Sequence, residues 1–203
     1  MYKHRLGRFD RDVLTIHPGE YYVTREDMII ATVLGSCIAV ALYDPNEKAG
    51  GLNHFMLPGV MDKSDLIRNP NAKYGMYAME LLVNELMRVG LEKRHLKAKV
   101  FGGASVIRLP EGGSTKIPRS NIDFAFEYLA KEDIPIVSSD VGGKIARKIL
   151  FFPRDGKILL KRIGSVLANL VEKDEEHYLD SLRAKTREGP IVLFDPDDPA
   201  PKP

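Results

Sequence analysis

The chain alternates between short, continuously apolar runs and clusters of turn residues through its first sixty positions. A Pro18-Gly19 turn precedes Glu20 to Thr24, which reads as a strand. Residues 28–34, Ile38 to Tyr43 and Gly50 to Leu57 follow as three further apolar runs, the last two ended by Asp44-Pro45-Asn46 and by Pro58-Gly59. Runs of this length without polar alternation predict strands covered on both faces.

The period then changes. Residues 60–72 read as an exposed loop. From Lys73 to Val89, Met76, Met79, Leu82, Val83, Leu86 and Met87 recur at three- and four-residue spacing before Gly90, which predicts a helix packed on a core. Lys97 to Phe101 is a strand before Gly102-Gly103. Ser120, with Asp123 three residues on, is a candidate N-cap for a helix over Asn121 to Lys131. Ile134 to Ser138 is a strand. Lys148 to Phe152 and Lys157 to Ile163 form a hairpin across Pro153-Arg154-Asp155-Gly156. Val166 to Ala184 predicts a last helix with Leu167, Leu170, Val171, Tyr178 and Leu182 on one side. The Pro- and Asp-rich end is expected to be disordered. The division expected is 1–164, a helical extension over 165–186, and a tail over 187–203.

Charge removes one class of function. Thirty basic against 28 acidic residues give a net charge of +2, without the basic excess that phosphate-backbone binding requires. Met1 to Asp12 is polar and basic, and no apolar run approaches the ~20 residues that span a bilayer. The expectation is a soluble cytoplasmic protein with no membrane insertion and no nucleic-acid partner.

Candidate chemistry centres on the single cysteine, Cys37. It cannot form an internal disulfide, and a lone cysteine is commonly just a small buried apolar residue. Its setting is distinctive: Thr32-Val-Leu-Gly35-Ser36-Cys37 lies between two apolar runs. A Gly-Ser turn can present a thiol and lets a substrate carbonyl approach the backbone N–H groups of Gly35 and Ser36, candidates for stabilising an oxyanion. Of the five histidines (His4, His17, His54, His95 and His177), only His54 falls inside an apolar run. A thiol beside an imidazole can form the reactive thiolate–imidazolium pair, although a core histidine satisfied by hydrogen bonds would look the same in sequence. No cluster with metal-ligand spacing is present, so neither metal nor cofactor is expected.

The wording of these segments adds a resemblance. Leu34-Gly-Ser-Cys-Ile-Ala-Val-Ala-Leu-Tyr-Asp44 followed by Asn53-His-Phe-Met-Leu-Pro58 closely resembles the chemoreceptor glutamine deamidase family, CheD. His17-Pro-Gly-Glu-Tyr-Tyr22, Lys99-Val-Phe-Gly-Gly-Ala104, Arg119-Ser-Asn121 and Asp140-Val-Gly-Gly143 with Arg147-Lys148 and Phe152 match in the family's order, over roughly residues 15–163. One departure is Ala146, where the family has a glycine before the arginine; it bears on the loop at Gly142 and Gly143, not on the Cys–His pair.

The resemblance implies an α+β fold with a compact β-sandwich core flanked by helices, similar to deamidating cytotoxic necrotizing factor-type toxins. The strand pattern by itself fits a mixed sheet equally well. It implies Cys37 as nucleophile, His54 as acid–base partner and Thr32 as third member. It also implies hydrolysis of glutamine side chains on chemoreceptor cytoplasmic domains, and a CheC-type phosphatase as partner. Two alternatives stay open: a binding module with a structural Cys37, and a methyl ester in place of the amide.

Overall fold

A computed structural model gives the fold and describes residues 1–7, 9–60, 71–106 and 116–187. The loop expected over 60–72 and the tail over 187–203 lie almost wholly outside the described residues.

In chain order the strands are β1 (Tyr2–Leu6), β2 (Arg11–Thr15), β3 (Tyr21–Thr24), β4 (Ile29–Leu34), β5 (Ile38–Asp44), β6 (Ala49–Asn53), β7 (Lys97–Gly102), β8 (Ile136–Val141), β9 (Arg147–Phe152) and β10 (Lys157–Arg162). The helices are α1 (Ala72–Arg88), α2 (Ile117–Lys131) and α3 (Ser165–Arg187). The strands form two five-stranded mixed sheets, ordered β1-β2-β4-β9-β10 and β3-β6-β5-β7-β8. The fold is α+β.

Strand β5 shows how the layers arise. All seven of its residues are buried, which is why its sequence is apolar without alternation. Side chains still alternate in direction. Ala39, Ala41 and Tyr43 join Leu14, Ile30, Ile149 and Phe151 of the first sheet in a core between the sheets. Ile38, Val40 and Leu42 face the other way, onto Met79, Leu82 and Leu86 of α1 and Phe124 and Leu129 of α2. The result is a sandwich with α1 and α2 layered outside its second sheet.

Several expectations shift. The N-terminal strands β1 and β2 were not legible in a polar, basic segment; they pair with each other, and β2 runs parallel to β4. The run from Gly50 to Leu57 is not one strand. It ends at Asn53, because His54 exchanges backbone hydrogen bonds with Gly19 and Glu20, whereas Phe55 pairs on the opposite side with Ile38. Helix α2 begins at Ile117 rather than after Ser120, with Pro118 in its first turn, where a missing N–H costs nothing. Strand β8 starts at Ile136, two residues later than expected, and extends to Val141. In α3 the packed side is Glu175, Leu179 and Leu182 with the expected Tyr178, whereas Leu170 is exposed. Among the described residues, no helix is long and apolar enough to cross a membrane.

Candidate active site

Strand β4 belongs to the first sheet and β5 to the second, so Gly35-Ser36-Cys37 carries the chain from one to the other. All three carbonyls of this crossover are tied. Gly35 O accepts from Ala104 N at 2.7 Å, Ser36 O from Asn121 Nδ2 at 2.8 Å, and Cys37 O from Gly103 N at 2.7 Å. A peptide N–H lies trans to the preceding carbonyl. Fixing the carbonyls of Gly35 and Ser36 therefore fixes the N–H directions of Ser36 and Cys37, which point into a cleft beneath α3.

A carboxylate fills that cleft. Glu175 Oε1 accepts from Gly35 N at 2.8 Å and Cys37 N at 3.2 Å, and Oε2 accepts from Ser36 N at 2.6 Å and Ser36 Oγ at 2.7 Å. A side chain at position 35 would intrude here, since a Cβ on Gly35 would lie 2.7 Å from Glu175 Oε2 and 2.5 Å from Val106 Cγ2. Gly102 guards the other side of the crossover. It has φ +115°, and a Cβ there would lie 2.1 Å from Cys37 O. Gly102→Ala is therefore expected to destabilise the fold by about 3 kcal/mol or more, combining backbone strain with a clash against fixed backbone. Urea unfolding reads this directly, and a midpoint equal to that of the unsubstituted protein would contradict it.

His54 sits at the end of β6, and its ring reaches across to β4. Thr32 Oγ1 lies 2.8 Å from His54 Nδ1 and 2.8 Å from Ile16 O. The hydroxyl has one hydrogen, and a carbonyl can only accept, so that hydrogen goes to Ile16 O. The hydroxyl oxygen then accepts Nδ1–H. This assigns the tautomer: Nε2 carries the lone pair, and it has no hydrogen-bond partner among the described residues. Cys37 Sγ, a ring nitrogen of His54 and a Glu175 carboxylate oxygen lie within 4.8 Å of one another.

All of these groups are buried, with Cys37 0% and His54 2% exposed. Burial pushes the Cys37 thiol well above its ordinary range, and the Glu175 carboxylate adds to the shift through its charge and a hydrogen bond. Burial lowers the His54 imidazole to about 3, with neighbouring His17 contributing. Both shifts favour the neutral thiol and the neutral imidazole in this arrangement. Burial and the neighbouring carboxylate both work against the thiolate–imidazolium pair considered from the sequence.

A thiol, an imidazole and a carboxylate are a donor set that suits zinc. Here Glu175 is engaged by the N–H groups of Gly35, Ser36 and Cys37 and by the Ser36 hydroxyl, so its oxygens are committed to the protein in this arrangement. Cavities of about 540 Å³ and 360 Å³ adjoin α3, the first beside Leu170, Asp174 and Glu175 and the second beside Tyr178 and Leu182. The first is lined by His17, His54 and Glu175, the second by Gly19, Tyr74 and Tyr178.

Thr32 thus ties the His54 ring to Ile16 O through one hydroxyl. Thr32→Val leaves Ile16 O and His54 Nδ1–H unpaired in the interior, which should cost about 1–3 kcal/mol. Turnover should fall with it, and Thr32→Ser should restore both. Denaturation midpoints and kcat for the two variants decide the matter; a valine variant as active as the threonine protein would remove this role.

Sequence reasoning missed Glu175 and the part played by Asn121. Asn121 donates to Ser36 O and accepts from Leu57 N at 2.8 Å, tying α2 to both halves of the site. Its segment was legible only through resemblance. Nothing local marks Glu175, because acidic residues on a helix are ordinarily solvated.

Comparison with known proteins places the chain. The family model CheD, described as CheD chemotactic sensory transduction, matches residues 56–162. A protein of Albidiferax ferrireducens, "Probable chemoreceptor glutamine deamidase CheD 1", is 46% identical over 193 residues, covering 94% of this chain and 79% of that one. The "Probable chemoreceptor glutamine deamidase CheD" of Hahella chejuensis is 43% identical over 193 residues (93% and 86%). That of Laribacter hongkongensis is 40% identical over 188 residues (92% and 89%). A crystal structure of the Bacillus licheniformis hypothetical protein YfiH overlaps with a TM-score of 0.36 at 14% identity, covering 59% of this chain and 49% of that one, too distant to bear on function. With a model match over more than half its length and relatives at this identity along nearly all of it, the chain belongs to the CheD family.

Proposed function

We propose that this protein hydrolyses glutamine side chains to glutamate on the cytoplasmic domains of chemoreceptors, with Cys37 as nucleophile, His54 as acid–base and Thr32 holding the imidazole. The names of the relatives point to this activity. The observation that carries it is the hydrogen-bonding of a carboxylate, the functional group of the product, by the N–H groups of Gly35, Ser36 and Cys37 beside a thiol and a free imidazole lone pair.

On this reading His54 Nε2 takes the thiol proton as Sγ attacks the carboxamide carbon, and the N–H groups stabilise the oxyanion. His54 then gives the proton to the departing nitrogen, the C–N bond breaks and ammonia leaves a thioester. Water attacks the thioester as His54 takes its proton, and collapse releases glutamate and restores the thiol. Residues 1–164 form the catalytic sandwich, of the kind found in deamidating cytotoxic necrotizing factor-type toxins, and α3 is a cover over its site.

The test is mass spectrometry of a purified receptor cytoplasmic domain incubated with the protein, with ammonia measured in parallel and free glutamine as control. A one-dalton gain at particular glutamines, matched by ammonia, supports the reading. An unchanged receptor domain overturns it, and release from free glutamine alone makes the protein a metabolic glutaminase.

A further inference from the structure

Glu175 is 1% exposed and has no cationic partner among the described residues. A buried carboxylate without a counter-ion is costly unless its lone pairs are satisfied. This one is satisfied entirely by the crossover and the Ser36 hydroxyl. It is also a glutamate side chain presented by an α-helix. Leu179 and Leu182, four and seven residues further on, are buried in the inter-sheet core on the same face. Asp174, His177, Asp180 and Arg183 on the remaining faces are exposed.

Two further facts bear on this arrangement. Cys37 is fully buried, and Glu175 of α3 lies against it and accepts from its backbone N–H, so in this arrangement the helix occupies the space beside the thiol. Cavities adjoin the helix at successive positions along its length, the first lined by Leu170, Asp174 and Glu175 and the second by Tyr178 and Leu182.

We propose that α3 occupies the docking place of the substrate helix, with Glu175 where the newly formed glutamate would lie. The substrate class that follows is a glutamine on an α-helix with apolar side chains four and seven residues after it. The chain is held closed by its own product-like helix until a substrate helix displaces it. This rests on the deamidase reading above and adds to it the form of the substrate and the occupant of the empty enzyme's cleft.

A glutamine at position 175 would then be a substrate in cis, consuming one water and releasing one ammonia through the same thioester. The test uses the full chain carrying Glu175→Gln, alone and with Cys37→Ser, and follows position 175 by peptide mass spectrometry. The introduced glutamine is expected to become glutamate, with a one-dalton gain, only where Cys37 is present. In parallel, iodoacetamide labelling of Cys37 should accelerate by about tenfold or more in Glu175→Ala, since exposure and thiolate fraction both rise. If the introduced glutamine persists while the same protein converts a receptor domain, Glu175 does not occupy the product position. Unchanged labelling in Glu175→Ala overturns the closure. Faster labelling with no conversion of either substrate overturns the deamidase reading and the product position with it, and leaves the closure established.

Discussion

Replacing Cys37 with serine is expected to lower turnover on a receptor cytoplasmic domain by on the order of a thousandfold or more, with the fold intact. The hydroxyl is nearly isosteric with the thiol, and the neighbouring backbone is held by Ala104, Asn121 and Gly103 rather than by the side chain. Melting temperature should therefore change little. A serine hydroxyl is far less acidic than a thiol, and a single imidazole whose own protonation is suppressed by burial cannot activate it well. Single-turnover ammonia release measures the loss. Activity retained within a few fold would exclude a covalent Cys37 mechanism and favour a structural cysteine.

His54→Ala should lower turnover by roughly a hundred- to ten-thousandfold, the range of a general acid–base. It should also change how stability depends on pH. The folded-state imidazole lies at about 3 against an ordinary 6.5. A group held neutral in this way contributes its full stability above the unfolded value and loses it as the pH falls from about 6.5 towards 3. That acid-side slope should shrink in His54→Ala, and added imidazole should restore part of the turnover. Denaturation midpoints across this pH range, beside activity with and without imidazole, make the test. Wild-type turnover in the alanine variant would remove His54 from the chemistry.

The sequence showed the core strands because burial on both faces leaves a continuous apolar run, as in β5. It showed α1 because one face of a helix must be apolar at helical spacing. It could not show β1 and β2, which are short and polar, nor assign strands to two sheets, since pairing between positions such as Thr32 and Ile149 leaves no local mark. Cys37 and His54 were legible because a small-residue turn and a lone histidine interrupt apolar runs. Thr32 and Asn121 act through hydrogen bonds to residues 22 and 85 positions away. Glu175 reads as one more surface acid, since the donors that justify its burial are nearly 140 residues earlier.

The hydrogen bond between Thr32 and His54 joins the two sheets, one residue on β4 of the first and the other at the end of β6 of the second. The imidazole therefore registers the spacing and shear between the sheets, which is set by the volume of the side chains sandwiched between them. A methylene lost from Ile149 or Leu52, both in the layer between the sheets, should shift the ring relative to Cys37. Warming should act in the same way: as the inter-sheet layer loosens, alignment fails before the strands separate, and activity fades at temperatures where the protein is still folded.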